Sequence, residues 1–504
     1  MTDPAVCFDE VRLARRQEMC EAGIPLYPYR FDKERIESIR DRFAGIGHDP
    51  SEETVTTAGR VLLVRDHGKT VFADLQDDSG RVQLYIRRDS LGEEVFSRFS
   101  RFVERGDIIG VTGRVFRTRL GELTLWVDSF TILAPALCAL PEKFHGLRDI
   151  EKRYRQRYVD LIVNEESRKI FQTRSRLISL IRRTLDEQDF LEFETPILQP
   201  LYGGANARPF TTHHHFLERT LYLRIAPELY LKRLVVGGFE RVYEVARNFR
   251  NEDIDTSHNP EFSMVEIYQA YADMYDMIRL TEGLISMIVR TLKGDDLCAF
   301  GGEMISFTPP WRQLTMTEAV LLFTGIDLAS MTLPDMKDQA AKLGVEGWEA
   351  AVNEREILVL LFEGLVEGRL IQPTIITEFP IENSPLAKRH RVREGFTERF
   401  ELFVAGMELA NGFSELNDPL DQLARFEDQE QRRQGGDLEA QVPDYDFVSA
   451  LGYGMPPTGG VGIGIDRLVM LVSGQSSIKE VILFPQMKAE QIVCPDDGSQ
   501  PRVE

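Results

Sequence analysis

The stretch FERVYEVARNFRNEDIDTSHNPEFSMVEIYQAYAD, residues 239–273, decides how this chain is read. Two alternating polar and apolar runs flank a polar, turn-rich segment at 251–260, which gives strand, loop and returning strand. Side chains alternate along a strand, so Glu244, Asn248 and Arg250 fall on one face of the first run. Phe239, Tyr243, Val245 and Phe249 fall on the other. In the returning run Phe262, Met264, Glu266 and Tyr268 share a face. A hairpin that gathers an arginine, several acids, His258 and two aromatic rings suits an anionic, aromatic ligand. A guanidinium bridges phosphate oxygens, and a phenyl ring stacks on a base. On pattern alone, an ordinary amphipathic hairpin with a packed Phe262 is the competing reading.

Before the hairpin the chain changes character twice. Residues 9–48 are charged and helical in pattern, with Gly23 and Pro25 as a helix stop. From 55 to 134 five strand-like runs follow, with a helical run (SLGEEVFSRFSRFV) between the third and fourth. That order predicts an OB-fold barrel, another small barrel being the alternative. Between Arg81 and Glu122 nine arginines stand against six acids, inside a chain of net charge −21. The barrel is therefore where a polyanion could dock, and an all-over cationic nucleic-acid binder is excluded. LAPALCALPEKFHG reads as a linker, and the region to about 490 reads as α+β, mainly helical over 275–300 and 315–370.

The expected organisation is a helical extension at 1–50, an OB-fold domain at 51–140 and a linker at 141–150. A catalytic domain follows at 151–490 with a helical insertion at about 290–370, then a tail at 491–504. Five scattered cysteines without a CxxC pair argue against a zinc knuckle or a disulfide framework. No run of about 18 apolar residues and no basic-then-apolar leader occurs, so a soluble cytoplasmic protein is expected. There is no Walker P-loop, no HExxH and no GxSxG. GGVGIGIDR (459–467) misses GxGxxG because Arg467 takes the last position. A nucleotide would need another scaffold.

FRNE followed by HNPEF, within the hairpin, resembles motif 2 of the class II aminoacyl-tRNA synthetases. GGVGIGIDRLVML (459–471) resembles their motif 3, and FLEFETPIL (190–198) their motif 1, a dimer-forming helix and strand. The motif order behind an OB barrel is similar to the lysyl, aspartyl and asparaginyl subclass (IIb). GGANARPFTTHH (203–214), RIAPELYLKRLVVGGFERVYE (224–244), NGFSELNDP (411–419) and ILFPQM (482–487) resemble the lysyl enzymes within it. The resemblance implies an antiparallel sheet flanked by helices. It also implies activation of L-lysine with ATP to lysyl-adenylate, then transfer of lysine to the 3′ end of tRNA(Lys).

Site roles follow from the same resemblance. Arg250 and Arg467 are the implied catalytic residues, and with Glu252, His258 and Phe262 they bind ATP. Gly204, Glu228, Glu266, Tyr268, Asn411, Phe413 and Glu415 bind lysine, with Glu228 at the α-amino group and Glu415 at the ε-ammonium. Asn411, Phe413 and Glu415 are two apart, so one strand face presents all three. Glu401 and Glu408 are the implied Mg²⁺ ligands. Strict alternation puts Glu408 on the wrong face, so a turn or bulge near Gly406 is expected. In the barrel Arg60, Phe72, Gln83 and Glu122 match anticodon-reading positions.

His213, His214 and His215 alternate faces on a strand and lack a supporting Cys or second His group, so zinc is not expected there. His215 and Ala410 depart from the family pattern; Ala410 is expected to place a methyl beside the lysine pocket. A homodimer is implied, with Leu177, Ile178, Leu180, Ile181 and Leu185 on an apolar helix stripe. Phe190, Leu191, Phe193, Pro196 and Ile197 lie next to it. The alternatives are a lysine ligase acting on a protein acceptor, disfavoured by the barrel, and a non-catalytic RNA-binding paralogue, disfavoured because both arginines and the acids are present. Aspartyl or asparaginyl specificity is disfavoured by an acid at 415.

Overall fold

A computed structural model describes residues 8–141, 147, 149–436 and 441–488. Most of the expected linker and the whole expected tail lie outside those residues. The chain falls into two units, 1–148 and 149–504.

The first unit is a closed barrel of β1 (Thr54–Asp66), β2 (Thr70–Gln76), β3 (Arg81–Arg87), β4 (Ile108–Arg117) and β5 (Leu123–Ala134). Its order is β1-β2-β3-β5-β4, with β3 and β5 parallel. The helix Glu93–Phe102 connects β3 to β4 and buries Phe96, Phe99 and Phe102, three residues apart on one face. Met19, Ile36 and Ile39 from two short N-terminal helices join the same apolar core. The described part of the 1–50 segment, from residue 8, is therefore packed into the barrel unit.

The second unit is built on eight strands. They are β6 (Leu191–Glu192), β10 (Arg241–Phe249), β11 (Glu261–Ala270), β14 (Arg312–Thr315), β15 (Thr374–Pro380), β16 (Phe396–Val404), β17 (Met407–Ser414) and β18 (Thr458–Gly464). The order is β14-β15-β16-β17-β18-β11-β10-β6. The five inner ladders, from β15 to β10, are antiparallel. Only the outermost pairs are parallel. Beside this sheet, β7 (Leu198–Gln199), β8 (Thr211–His214) and β9 (Arg219–Leu223) form a smaller one.

Alternation splits the large sheet into two faces. Tyr243, Val265, Ile267, Phe400, Leu402, Val461 and Ile463 point to one face. There they pack against Leu177, Ile181, Leu185, Met277, Ile285, Ile288, Leu468 and Val472 of three helices, in the largest apolar core of the molecule. Those helices are Glu165–Asp186, Met274–Lys293 and Ile465–Ser473. The opposite face is left for the site.

Four expectations change. FLEFETPIL is not one strand: β6 and β7 are two residues each, and 193–197 runs irregularly around Thr195 and Pro196. The apolar stripe of the preceding helix is core of its own chain, with Leu177, Leu180, Ile181 and Leu185 all buried. Phe239 precedes β10 and packs edge-on against Phe193 at 4.8 Å. The helical run over 275–300 ends at Lys293; β12 (Leu297–Phe300) and β13 (Glu303–Ser306) form a hairpin turned by Gly301 and Gly302, both at positive φ.

Candidate active site

Strand register determines which side chains meet. Glu401 pairs with Asn411, Asn411 with Gly462, Gly462 with Glu266, and Glu266 with Glu244, so one row crosses five strands. The next row runs Arg399, Phe413, Gly460, Tyr268 and Val242. Both rows point away from those three helices, and all their members except Glu244 and Val242 floor a cavity of about 420 Å³. Glycines hold the middle of each row, and at Gly460 nothing larger fits. A Cβ on Gly460 would collide with Glu415 Oε1 and the Tyr268 ring, and one on Gly462 would lie 2.7 Å from Met264 Cε.

The expected irregularity before Asn411 is present, three residues beyond Gly406. Ala405 and Gly406, both at positive φ, make the turn. The register then shifts, Leu402 opposing Ala410 while Phe403 opposes Glu408. Leu409 is the extra residue of a bulge. It moves Glu408 onto the same face as Asn411 and Glu401, and both acids line the cavity. Ala410 borders the cavity, as expected, while the same register packs it into the helix-side core.

All the residues to which the resemblance assigns ATP, lysine or Mg²⁺ line this one cavity. At one end Glu228 opens the helix Glu228–Val236, and Gly204, at φ +88, lets the loop pass its side chain. A Cβ at Gly204 would lie 3.1 Å from Glu228 Cβ. The Tyr268 hydroxyl donates to Glu266 Oε2 at 2.9 Å. Burial, with Glu228 nearby, pushes the Glu266 carboxyl up to about 8. Burial and the acids Glu266, Glu228 and Glu415 raise Tyr268 well above its ordinary value. Glu415 is buried, its amide donating to Thr458 O at 2.8 Å and its Oε1 without a hydrogen-bond partner.

At the other end Arg250 stands over the Phe262 ring, Cζ 5.0 Å from its centroid, and its Nε is buried without a partner. Arg467 lies in the first turn of the helix Ile465–Ser473, bonded to Glu408 O and 3.7 Å from its carboxylate. Backbone amides at such a helix start already favour anions. His258 is exposed on the loop, its Nδ1 2.8 Å from Asp255 Oδ2. Against the effect of burial, hydrogen bonds from His258 and the Ser257 and His258 amides hold Asp255 at about 2. Glu401 is raised to about 8: burial lifts it, Arg399 opposes, and Glu408 and Glu367 add to the rise.

Among the described residues no group of three or more His, Cys, Asp or Glu is arranged to hold a metal alone. His213 and His215 are exposed, with ring centroids 5.2 Å apart. The Glu401–Glu408 pair suits Mg²⁺, which takes one or two carboxylates and completes its shell with phosphates and water.

Sequence reading missed four residues that hold the site. Arg399 donates to Asn411 Oδ1 at 3.2 Å, to Asn383 O and Ser384 Oγ, and pairs with Glu401. Arg174 bonds Asp466 at 2.5 Å and Ser263 Oγ at 3.0 Å, so it ties the motif 1 helix to the motif 2 strand and the motif 3 helix. Arg224 pairs with Glu244 at 2.5 Å. Lys232, fully buried, pairs with both Glu228 and Glu415. The last had a visible signal, its spacing of four from Glu228 on a helix.

In the barrel, Phe72 and Gln83 lie on the outer face. Phe72 is 5.0 Å from Tyr85, whose ring also meets Phe116 and Trp126. Gln83 Oε1 accepts from Thr124 Oγ1 at 3.1 Å, and Glu122 is exposed before β5. Arg60 donates to Gly106 O at 2.7 Å, and burial lowers its pKa despite Asp107. Part of its hydrogen-bonding capacity is therefore committed to the barrel.

Comparison with known proteins agrees with this geometry. Residues 149–488 match the family described as tRNA synthetases class II (D, K and N), and 55–133 match the OB-fold nucleic acid binding domain. The chain belongs to the class II tRNA synthetases, and it is an aminoacyl-tRNA synthetase. Within that class it belongs with the lysine–tRNA ligases. It is 64% identical over 500 residues to the lysine–tRNA ligase of Methanospirillum hungatei, with 99% of each chain covered. It is 62% identical over 483 residues to that of Methanoculleus marisnigri, with 96% of this chain and 95% of that one covered. Over 484 residues it is 56% identical to lysine–tRNA ligase 2 of Methanosarcina mazei, covering 96% and 94%.

Proposed function

We propose that the cavity binds ATP and L-lysine side by side, joins them as lysyl-adenylate and hands lysine to the 3′ end of tRNA(Lys). The observation that carries this reading is the polarity of the cavity. Three carboxyl groups, Glu228, Glu266 and Glu415, converge at one end, and two arginines, Arg250 and Arg467, stand at the other. A lysine with two ammonium groups fits the first, and a triphosphate fits the second.

Glu228 receives the α-amino group, while Glu415 and the Tyr268 hydroxyl receive the ε-ammonium. Phe413 lines the alkyl stem, and Asn411, fixed by Arg399 and Glu401, adds a hydrogen bond. This leaves the lysine carboxylate facing Arg250. Its oxygen attacks the α-phosphorus of ATP in line, the bond to the β-phosphate oxygen breaks, and pyrophosphate leaves. Arg250 holds the α-phosphate and the carboxylate together, which supplies orientation and charge stabilisation. Phe262 stacks on adenine and Glu252 accepts from its amino group. His258 and Arg467 hold the γ-phosphate. Glu401 and Glu408 would hold Mg²⁺, which neutralises phosphate charge when bound. In the second step a ribose hydroxyl of the tRNA end attacks the acyl carbon, AMP leaves with the anhydride oxygen, and the hydroxyl proton is released.

Arg60, Phe72, Gln83 and Glu122 on the barrel read the anticodon, the ring by stacking and the polar groups by base edges. An RNA acceptor is favoured over a protein one by the match of 55–133 to a nucleic-acid-binding domain. The enzyme works in the cytoplasm, where translation draws on charged tRNA. It works as a homodimer through Leu191, Ile197, Leu198 and Leu201, apolar side chains exposed beside the site loop. ATP–pyrophosphate exchange with each of the twenty amino acids tests the reading. Lysine alone should support rapid exchange, and exchange supported equally by another amino acid overturns the assignment.

A further inference from the structure

Behind the pocket assigned to lysine sits a lysine of the chain itself. Lys232 is fully buried on the helix Glu228–Val236, one turn after Glu228. Its Nζ donates to Glu228 Oε1 at 2.6 Å and pairs with Glu415. The rings of Phe413 and Phe447 lie 5.2 and 6.0 Å from it. Lys232 does not itself line the cavity, whereas both acids do. A buried ammonium held by two acids that also face a ligand has no counterpart in the mechanism above.

The other charges around it are accounted for. Glu266 and Tyr268 face the same chamber from β11. Arg224 is engaged by Glu244 on β10, and Arg233, next on the helix, by Asp444 and Asp446. On the far side Arg399 is engaged by Glu401. Three carboxyl groups therefore share one resident cation, and once all three are ionised the remaining deficit is two positive charges. A lysine substrate brings two ammonium groups, and its carboxylate is met separately by Arg250.

We propose that Lys232 is a built-in counter-ion of the amino-acid pocket, a positioning residue that neutralises one of three carboxyl groups and so sets the pocket's demand at two ammonium groups. The inference rests on the lysine-site reading given above. Buried carboxyl groups this close do not all ionise without cations. Burial raises Glu415, and Glu228 and Glu266 raise it further, while Lys232 pulls the other way. Burial lowers Lys232, but Glu228 and Glu415 outweigh it and hold the ammonium charged. Without Lys232 the empty pocket would take up a proton in its place. That proton would turn an acceptor into a donor facing the substrate's ammonium, and lysine would have to expel it on binding.

The test uses the full chain and Lys232→Met, with the lysine KM and kcat measured by pyrophosphate exchange from pH 6 to 9. The readout is the ratio of variant to wild-type KM, which cancels the titration the two proteins share. The ratio should be roughly tenfold or more at pH 6–7 and fall as pH rises past 8, with kcat moved much less, because one pH unit changes the competing proton tenfold. A ratio near one, or a high ratio independent of pH, overturns the inference. If Lys232→Met does not fold, the double variant Lys232→Met/Glu415→Gln decides. A counter-ion role requires the double variant to recover a cooperative melt that the single one lacks, and equal loss in both overturns it. Wild-type protein without lysine-dependent exchange would sink the site reading and this inference together. A normal wild type beside a variant ratio near one sinks only the inference.

Discussion

In the proposed reading, Glu415 concentrates the substrate choice in one carboxylate. It is 1% exposed, lines the cavity and leaves its Oε1 without a hydrogen-bond partner. Replacing it with glutamine keeps the shape and removes the charge opposite the ε-ammonium. Breaking a buried ion pair costs about 3 kcal/mol or more, so the lysine KM of Glu415→Gln should rise roughly 100-fold in pyrophosphate exchange. The ATP KM should change far less, since Arg250 and Phe262 lie at the other end. Glu266 gives a second prediction, of pH dependence. Its carboxyl holds a proton up to about pH 8 in the free protein. A bound ammonium favours the carboxylate, so lysine binding releases that proton. Affinity is then fully developed above about 8 and weakens as pH falls through it. The lysine KM should climb from pH 8 to 6 in the wild type and lose that slope in Glu266→Gln.

The hairpin of β10 and β11 was legible because strict alternation assigns every side chain to a face, and the observed register keeps Phe262, Met264, Glu266 and Tyr268 together. Alternation also assigned Glu408 correctly once a bulge was required, although only the register located it at Leu409. Alternation alone does not reveal what lies behind a face. The stripe Leu177–Leu185 satisfies a core and a dimer interface equally well on paper, and the sheet beneath it decides for core. The spacing of four from Glu228 marks one partner of Lys232, but its second, Glu415, lies 183 residues away in sequence, and Arg399 reaches Asn411 across 12. Within the sheet, the glycine column of β18 supplies a test. Gly460→Ala should lower the melting temperature and raise the lysine KM, since overpacking costs about 1–3 kcal/mol. Gly464→Ala should keep the wild-type melting temperature, because a Cβ there meets nothing closer than 3.6 Å.

At the scale of the molecule, each of the two units has its own core, the barrel around Val61, Leu84, Ile109 and Val127 and the catalytic unit around its sheet. The groups proposed for adenylation all lie in the second. A fragment of residues 149–504 should therefore form lysyl-adenylate at a rate close to the full chain and charge tRNA(Lys) poorly. Equal charging by fragment and full chain would show that the barrel does not read the anticodon. Sedimentation at micromolar concentration should give twice the 57.6 kDa chain mass. Leu198→Asp, placed in the exposed apolar set, should shift the species toward the monomer and lower exchange activity. A fully active 57.6 kDa wild-type species would refute both the dimer and its part in catalysis.

The absence of a side chain at Gly460 also constrains how this pocket can drift. Every single-nucleotide change in a glycine codon that alters the amino acid introduces a β-carbon, and here that carbon meets Glu415 and Tyr268 at once. The position has no neutral neighbours in sequence space while the acid stands. A lineage could accept alanine at 460 only after shortening or losing the carboxylate at 415, and that first step abandons the ε-ammonium. The constraint runs one way: descendants that keep the acid at 415 and the ring at 268 should keep Gly460, whereas a change at 415 leaves glycine at 460 free to stay.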